Sequence, residues 1–215
     1  MIDTVIFDLD GTLLYTLGNL YKSTNYALQT LGFPERSLDE IRSFVGNGVE
    51  KLIERSVPQF TTKEQKERCL DIFKQHYSKT MYENTYPFDG IIEMLDFFNS
   101  KNIKCAVVSN KYDAAVKELC EKYFGSRIIC AIGECNDVRR KPCPDGVLNV
   151  IKQLNSKKCV YVGDSEVDIQ TAQNAKIPCI SVSWGYKDKN FLLVNKACII
   201  ADNVDELVQY VLSLD

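Results

Sequence analysis

Short runs of apolar, largely β-branched residues recur along this 215-residue chain, and they limit its possible folds strongly. A continuously apolar run of three to five residues is typical of a β-strand that is covered on both faces. Helical patterns separate most of these runs, and strands that alternate with helices form parallel sheets with helices on both sides. The sequence therefore predicts an α/β fold with a Rossmann-like, doubly wound parallel sheet. The runs are Thr4–Phe7, Cys105–Val108, Ile128–Ile132, Cys159–Val162, Cys179–Val182 and Cys198–Ile200.

The alternation stops between the first two runs, where about ninety residues show helical periodicity only. Ser37 and Glu40 are spaced as in a capping box, and Asp89 is expected to cap a helix that begins near Ile91. We therefore predict two domains. Residues 1–15 and 86–215 form the sheet core, and residues 16–85 form an inserted α-helical cap domain.

Composition excludes several classes of protein. The chain is 45% hydrophobic and 26% charged, as in ordered globular proteins, and its net charge of −3 provides no basic surface for nucleic acid. No apolar run approaches the roughly 18 residues that cross a bilayer, and no basic segment leads into an apolar stretch at the start. We expect a cytoplasmic protein with neither nucleic-acid nor membrane partners.

The cysteines and the histidine limit the possible metal chemistry. Nine cysteines occur, none in a C-x-x-C pair, and five lie in or beside apolar runs, namely Cys105, Cys130, Cys159, Cys179 and Cys198. Isolated buried thiols in a reducing compartment explain this distribution better than disulfides do. His76 is the only histidine and lies in a helical pattern, so a metal here would need oxygen ligands.

Acidic residues follow two of the predicted strands. Asp8 and Asp10 come directly after the first run, and Asp164 comes after the fourth, with Asp168 one helical turn further. Ligands of open parallel sheets bind outside the carboxyl ends of the strands, so these carboxylates are expected to converge. Carboxylates that converge raise one another's pKa unless a cation lies between them. An all-oxygen site of this kind suits Mg²⁺.

Groups suited to phosphate are expected at the same edge. The second predicted strand ends at Ser109, Asn110 and Lys111, just before a helix. A hydroxyl and backbone amides can bind an anion there. Lys141 offers a positive charge to phosphate oxygens, and Gly11 lets the backbone approach a substrate closely.

Together these segments resemble the four ordered motifs of the haloacid dehalogenase superfamily. The helical insert after the first motif resembles the subgroup typified by phosphoglycolate phosphatase and β-phosphoglucomutase. Tyr15 departs from the pattern, since relatives usually have a second acid there, and it leaves the hinge of the cap domain undefined. The matching segments are Asp8-Leu9-Asp10-Gly11-Thr12, Ser109, Lys141-Pro142 and Gly163-Asp164-Ser165-x-x-Asp168.

The resemblance implies a role for each residue. Asp8 would attack phosphorus and form an aspartyl-phosphate, while Asp10 would act as general acid and base. Asp8 and Asp164 would bind Mg²⁺ by side chain and Asp10 through its carbonyl, whereas Asp168 would orient the metal's ligands. The expected substrate-binding residues are Gly11, Thr12, Ser109, Asn110, Lys141 and, in the cap domain, Asn47.

Three functions agree with these residues. The first is a Mg²⁺-dependent phosphomonoester hydrolase that acts on a small, phosphoglycolate-like metabolite. The second is a sugar phosphomutase of the β-phosphoglucomutase type, and the third is a receiver-like module that stores a phosphoryl group as a signal. Asn47 lies between two helices in Gly46-Asn47-Gly48, which is either a simple turn or a loop that contacts the leaving group. The sequence leaves a monomer and a homodimer equally open.

Overall fold

A computed structural model of the protein describes residues 1–214, which fall into two compact units. The α/β unit comprises Met1–Leu14 and the chain from Pro87 onward, and the helical unit is Tyr15–Tyr86. The strands are β1 (Thr4–Phe7), β2 (Leu14–Tyr15), β3 (Tyr86–Pro87), β4 (Lys104–Tyr112), β5 (Cys130–Glu134), β6 (Cys159–Gly163), β7 (Cys179–Val182) and β8 (Ile200–Ala201). The α-helices are α1 (Leu17–Thr30), α2 (Leu38–Phe44), α3 (Val49–Ser56), α4 (Lys63–Thr80), α5 (Ile91–Ser100), α6 (Asp113–Phe124), α7 (Asp145–Leu154), α8 (Glu166–Ala175), α9 (Lys189–Val194) and α10 (Val204–Ser213).

The α/β unit is built on a six-stranded sheet in the order β5-β4-β1-β6-β7-β8. Every neighbouring pair of strands in this sheet is parallel. All four residues of β1 are buried, as the continuously apolar run predicts for a strand covered on both faces. Helices α5 and α6 pack on β4, and α8 packs on β6 and β7. The predicted α/β fold with a Rossmann-like parallel sheet is confirmed.

The register of the central strands determines where the polar residues meet. Phe7 in β1 lies beside Val107 in β4 on one side and beside Val162 in β6 on the other. Beyond these positions the three strands run toward one edge of the sheet, where β1 ends at Phe7 and β6 at Gly163 while β4 continues to Tyr112. Asp8 is the first residue after β1, and Asp164 is the first residue after β6.

Several predicted boundaries differ from the structure. Strand β5 begins at Cys130, whereas the sequence predicted a start at Ile128. Strand β8 includes only Ile200 of the predicted run Cys198–Ile200. The residue that caps α5 is Gly90, not Asp89, and it has a φ of +78°. Glycine adopts this left-handed conformation without a steric penalty, so backbone geometry rather than a side-chain hydrogen bond begins the helix.

The cysteines agree with the prediction only in part. All nine are free thiols, and Cys105 and Cys159 are buried, as expected, whereas Cys130 and Cys179 are only partly buried. Cys198 is exposed, because its predicted strand begins two residues later, at Ile200. Burial raises the pKa of the Cys105 thiol to about 12, which makes it an inert core residue.

The helical unit contains α1 to α4 and has its own core. Ser37 and Glu40 form the predicted capping box at the start of α2, and Phe73 is buried in α4. Tyr15 stands at the position where relatives usually have a second acid. Its ring stacks on that of Tyr86, with 5.0 Å between the centroids. Within residues 1–214, no helix has the length and apolar character that crossing a bilayer requires.

His76 contributes a pH-sensitive contact to the helical unit. Its Nδ1 lies 3.0 Å from Ser23 Oγ, and its ring stacks on Tyr26 at 4.2 Å between centroids. Burial lowers the pKa of His76 below the ordinary value of 6.5 and outweighs the opposite effect of Glu83. The unfolded chain therefore binds a proton at His76 more readily than the folded chain does.

We predict that His76 makes the protein less stable as the pH falls below 6.5. The melting temperature of the wild type should drop between about pH 7.5 and about pH 5.5. This drop should be smaller in His76→Gln, whose side chain does not titrate. Equal drops in the two proteins, measured by calorimetry, would contradict the prediction.

Candidate active site

Three carboxylates meet at the edge of the sheet where β1 and β6 end. Asp8, Asp164 and Asp168 each offer an oxygen, and these oxygens all lie within 4.8 Å of one another. All three residues are buried. The sequence predicted that these three acids and Asp10 would converge. The structure brings the three together from positions more than 150 residues apart, whereas Asp10 does not belong to this cluster.

This carboxylate cluster holds more negative charge than a buried site tolerates without a cation. Burial raises the pKa of Asp8 to about 6, helped by Asp168 and Asp10 and opposed by Lys141. Burial, followed by the charges of Asp168 and Asp8, raises the pKa of Asp164 well above its usual range. An all-oxygen donor set with this excess of charge fits a hard divalent cation. The residues present thus fit the metal that the sequence predicted.

Lys141 places a positive charge against two members of the cluster. Its Nζ lies 2.9 Å from Asp8 Oδ1 and donates a hydrogen bond of 2.7 Å to Asp168 Oδ1. Nζ also donates to the hydroxyl of Tyr161 at 3.0 Å. Burial alone lowers the pKa of Lys141, but Asp168 and Asp8 outweigh it and hold the pKa well above its ordinary value. Lys141 is therefore a permanent cation beside Asp8.

Asp168 ties the start of α8 to this lysine. Oδ2 of Asp168 accepts hydrogen bonds from the backbone N–H and the hydroxyl of Ser165, while Oδ1 accepts from Lys141. A Cβ on Gly163 would lie 2.3 Å from Asp168 Cγ, so only glycine leaves room for this carboxylate. These contacts show Asp168 orienting Lys141, and the predicted part of Asp168 in a metal site stays a prediction.

Ser109 and Asn110 lie inside β4 rather than after it. The strand continues to Tyr112, and its register against β5 shifts between Val108 and Tyr112, as at a β-bulge. The side chain of Asn110 binds the backbone of Lys141 twice, accepting from N–H at 2.7 Å and donating to the carbonyl at 3.1 Å. The Asn110 side chain thus holds Lys141 in place, and the substrate-binding role expected for Asn110 and Ser109 stays a prediction.

Asp10 pairs with a lysine to which the sequence assigned no role. Lys111 Nζ donates a hydrogen bond of 2.8 Å to Asp10 Oδ2, and both side chains are largely buried. The pairing could have been suspected from the lysine that ends the Ser109-Asn110-Lys111 segment. Nothing in the sequence spacing, however, shows that Lys111, which lies within the register shift of β4, reaches Asp10 in the first motif.

The loop after β7 positions Asp164. The backbone N–H of Tyr186 donates to Asp164 Oδ2 at 2.7 Å, and Thr12 Oγ1 donates to Oδ1 at 3.3 Å. A Cβ on Gly185 would lie 2.3 Å from Asp164 Cβ. Gly11 has a φ of +88°, and a Cβ there would lie 2.5 Å from Asp164 Oδ2. Gly11 thus makes room for Asp164, a reason that sequence analysis did not foresee.

Asn47, the remaining predicted site residue, belongs to the helical unit. It lies between α2 and α3, and its Oδ1 accepts a hydrogen bond of 2.7 Å from Arg55. A part for Asn47 in substrate binding stays a prediction.

The family assignment follows from comparison with known proteins. A family model described as haloacid dehalogenase-like hydrolase matches residues 5–182, which is most of the chain. The chain belongs to the haloacid dehalogenase-like hydrolase family. Both the family and the relatives described next identify the protein as a phosphatase.

Relatives match nearly the whole length of this family member. A phosphoglycolate phosphatase of Agrobacterium fabrum is 33% identical over 92% of this chain and 87% of its own length. One of Pseudomonas syringae pv. tomato is 28% identical over 98% of this chain and 80% of its own length. A crystal structure from Lactobacillus delbrueckii subsp. bulgaricus, provisionally described as a phosphoglycolate phosphatase, superposes with a TM-score of 0.94, with 33% identity and complete coverage of both chains.

We predict that Gly185→Ala displaces Asp164 and weakens divalent-metal binding by about 10-fold or more, as changes around a metal's ligands typically do. The added methyl would lie 2.3 Å from Asp164 Cβ, so Asp164 or the loop that carries residue 185 has to shift. Titration with Mg²⁺ or Mn²⁺ would measure the affinity.

Gly125→Ala is the matched control. Gly125 has a φ of +53°, so alanine is strained there, but its Cβ would meet no atom within 4 Å. This variant should lose stability and keep its metal affinity. Equal metal affinity in Gly185→Ala and the wild type would show that Gly185 does not position Asp164.

Proposed function

We propose that this phosphatase is a Mg²⁺-dependent phosphomonoester hydrolase that works through an aspartyl-phosphate on a small soluble metabolite, with phosphoglycolate as the first candidate. The observation that supports the reaction is the position of Asp8, which is buried beside two other carboxylates and 2.9 Å from Lys141. A carboxylate beside a fixed cation can accept a phosphoryl group whose charge that cation offsets.

The metal site would use residues that the fold already brings together. Asp8 and Asp164 would hold Mg²⁺ by their carboxylates and Asp10 through its carbonyl oxygen, while Asp168 keeps Lys141 oriented. When bound, Mg²⁺ supplies positive charge that offsets the carboxylates and the phosphoryl oxygens.

The residues of the chain divide the reaction between them. An oxygen of Asp8 attacks phosphorus, and the bond from phosphorus to the leaving oxygen breaks as Asp10 gives that oxygen a proton. Asp10 then takes a proton from water, whose oxygen attacks phosphorus and returns Asp8 to the carboxylate. Lys141 faces the charge that develops on the phosphoryl oxygens. We expect Ser109, Asn110, Gly11 and Thr12 to bind the phosphoryl group, and Asn47 to contact the leaving group.

The named activity of the relatives supports phosphoglycolate as substrate. Both curated relatives are phosphoglycolate phosphatases, and each alignment covers at least 80% of the relative's length. Nine free thiols favour a reducing compartment, so we place the enzyme in the cytoplasm.

The proposal is tested by Asp8→Asn, which should lower phosphate release by about 10³-fold or more, because an amide is not a nucleophile. The variant should still fold, since it removes one charge from a crowded anionic site. Release would be measured with phosphoglycolate and a metabolite panel, with and without Mg²⁺, and acid-quenched wild type would be searched by mass spectrometry for phospho-Asp8.

Asp137→Asn is the control, because it makes the same change at an exposed position. It should behave as the wild type does. Near-normal hydrolysis by Asp8→Asn would exclude Asp8 as the nucleophile. Phosphoryl return to a sugar without net release would instead identify a mutase, and a phospho-Asp8 that lasts for minutes to hours would identify a switch.

A second prediction concerns Asp10. Asp10→Asn removes the proton donor, so hydrolysis of alkyl phosphates, whose leaving groups need a proton, should fall about 10-fold more than hydrolysis of aryl phosphates. Comparing kcat for phosphoglycolate with kcat for p-nitrophenyl phosphate measures this ratio. An equal loss on both substrates would argue that Asp10 has another role.

A further inference from the structure

The ion pair between Lys111 and Asp10 joins the two motifs at the end of β1 and in β4. Lys111 Nζ and Asp10 Oδ2 are 2.8 Å apart, and the side chains are only 5% and 14% exposed. A largely buried ammonium group requires a partner, because its loss of hydration is unfavourable unless an opposite charge compensates it. The pair therefore restricts both side chains to the geometry in which they meet.

The backbone around Lys111 is fixed as well. Ser109 Oγ accepts a hydrogen bond of 3.3 Å from the Lys111 N–H, within the stretch where the register of β4 shifts. Tyr112 ends the strand and is followed directly by α6. Lys111 thus extends from a braced segment of the sheet toward the first motif.

We propose that Lys111 is a positioning residue for Asp10: it fixes one carboxylate oxygen and thereby sets the orientation in which Asp10 gives and takes the proton. The proposal rests on the proposed function. Lys111 Nζ donates to Asp10 Oδ2 at 2.8 Å, and this contact limits the orientations that the Asp10 side chain can adopt. When the bond from phosphorus to the leaving oxygen breaks, the electron pair stays on that oxygen, which takes the proton that Asp10 is proposed to give.

The two buried lysines thereby serve different steps. Lys141 contacts Asp8 and Asp168, where the phosphoryl group is proposed to bind, whereas Lys111 contacts Asp10, where the leaving group is proposed to depart. Loss of Lys111 should therefore affect substrates according to how much their leaving groups need a proton.

The experiment compares Lys111→Met with wild type on phosphoglycolate and on p-nitrophenyl phosphate. We expect kcat for phosphoglycolate to fall about 10-fold or more, kcat for the aryl phosphate to fall about 3-fold or less, and KM to change little for either. Lys111→Arg keeps the charge and a donor and should restore part of the lost kcat. Lys117→Met is the control, because it removes a lysine from an exposed ion pair with Asp113.

The outcomes separate this proposal from the proposed function. Equal losses of kcat on both substrates, or a kcat like that of the wild type, would overturn the positioning role while hydrolysis by the wild type stands. A rise in KM confined to phosphoglycolate would also overturn it, by showing that Lys111 binds the substrate carboxylate. If Lys111→Met does not fold, Lys111→Arg and Lys111→Gln give the same comparison, since only the first keeps the charge. Absence of hydrolysis by the wild type would remove both proposals.

Discussion

Electrostatic repulsion within a buried group of carboxylates is the constraint on which the rest of this structure depends. Asp8, Asp164 and Asp168 lie within 4.8 Å of one another, and burial raises the pKa of Asp8 and Asp164. Packing this much like charge is unfavourable unless cations accompany it. Lys141 provides one positive charge, and a divalent metal would provide the rest. A centre of this kind is already prepared for the negative charge of a phosphoryl group, because the same cations offset both.

The parallel sheet allows this arrangement because its strands end side by side. β1 lies between β4 and β6 in register, so residues far apart in the sequence leave the sheet at one edge. Close packing then places narrow steric limits on the loops. Gly11, Gly163 and Gly185 each stand where a Cβ would lie within 2.5 Å of an Asp164 or Asp168 atom. The acids and the glycines form one packed unit, and neither set functions without the other.

A feature of the site could be predicted where a local sequence pattern encodes it, and could not where it depends on tertiary contacts. Asp8 and Asp164 could be predicted because each follows an apolar run, and the rule that parallel strands end at one edge brings them together. The contact of Lys111 with Asp10 was not predicted, since it joins residues 101 positions apart and depends on tertiary structure. The Tyr186 N–H that binds Asp164 is equally hidden, because every residue but proline has this donor. Asp89 was a wrong prediction because Gly90 begins α5 through its backbone conformation.

The residues proposed for phosphoryl transfer differ from those that would select the substrate. In the proposed reaction, the carboxylate cluster and Lys141 would contact groups that any phosphate monoester presents, so they would favour phosphoryl transfer without selecting an alcohol. The proposed role of Asp10 concerns the leaving oxygen, and Lys111 forms an ion pair with Asp10. Discrimination between metabolites must therefore come from residues that face the leaving group. A fixed centre with independently variable contacts to the leaving group explains how one architecture can serve phosphatases of different specificity.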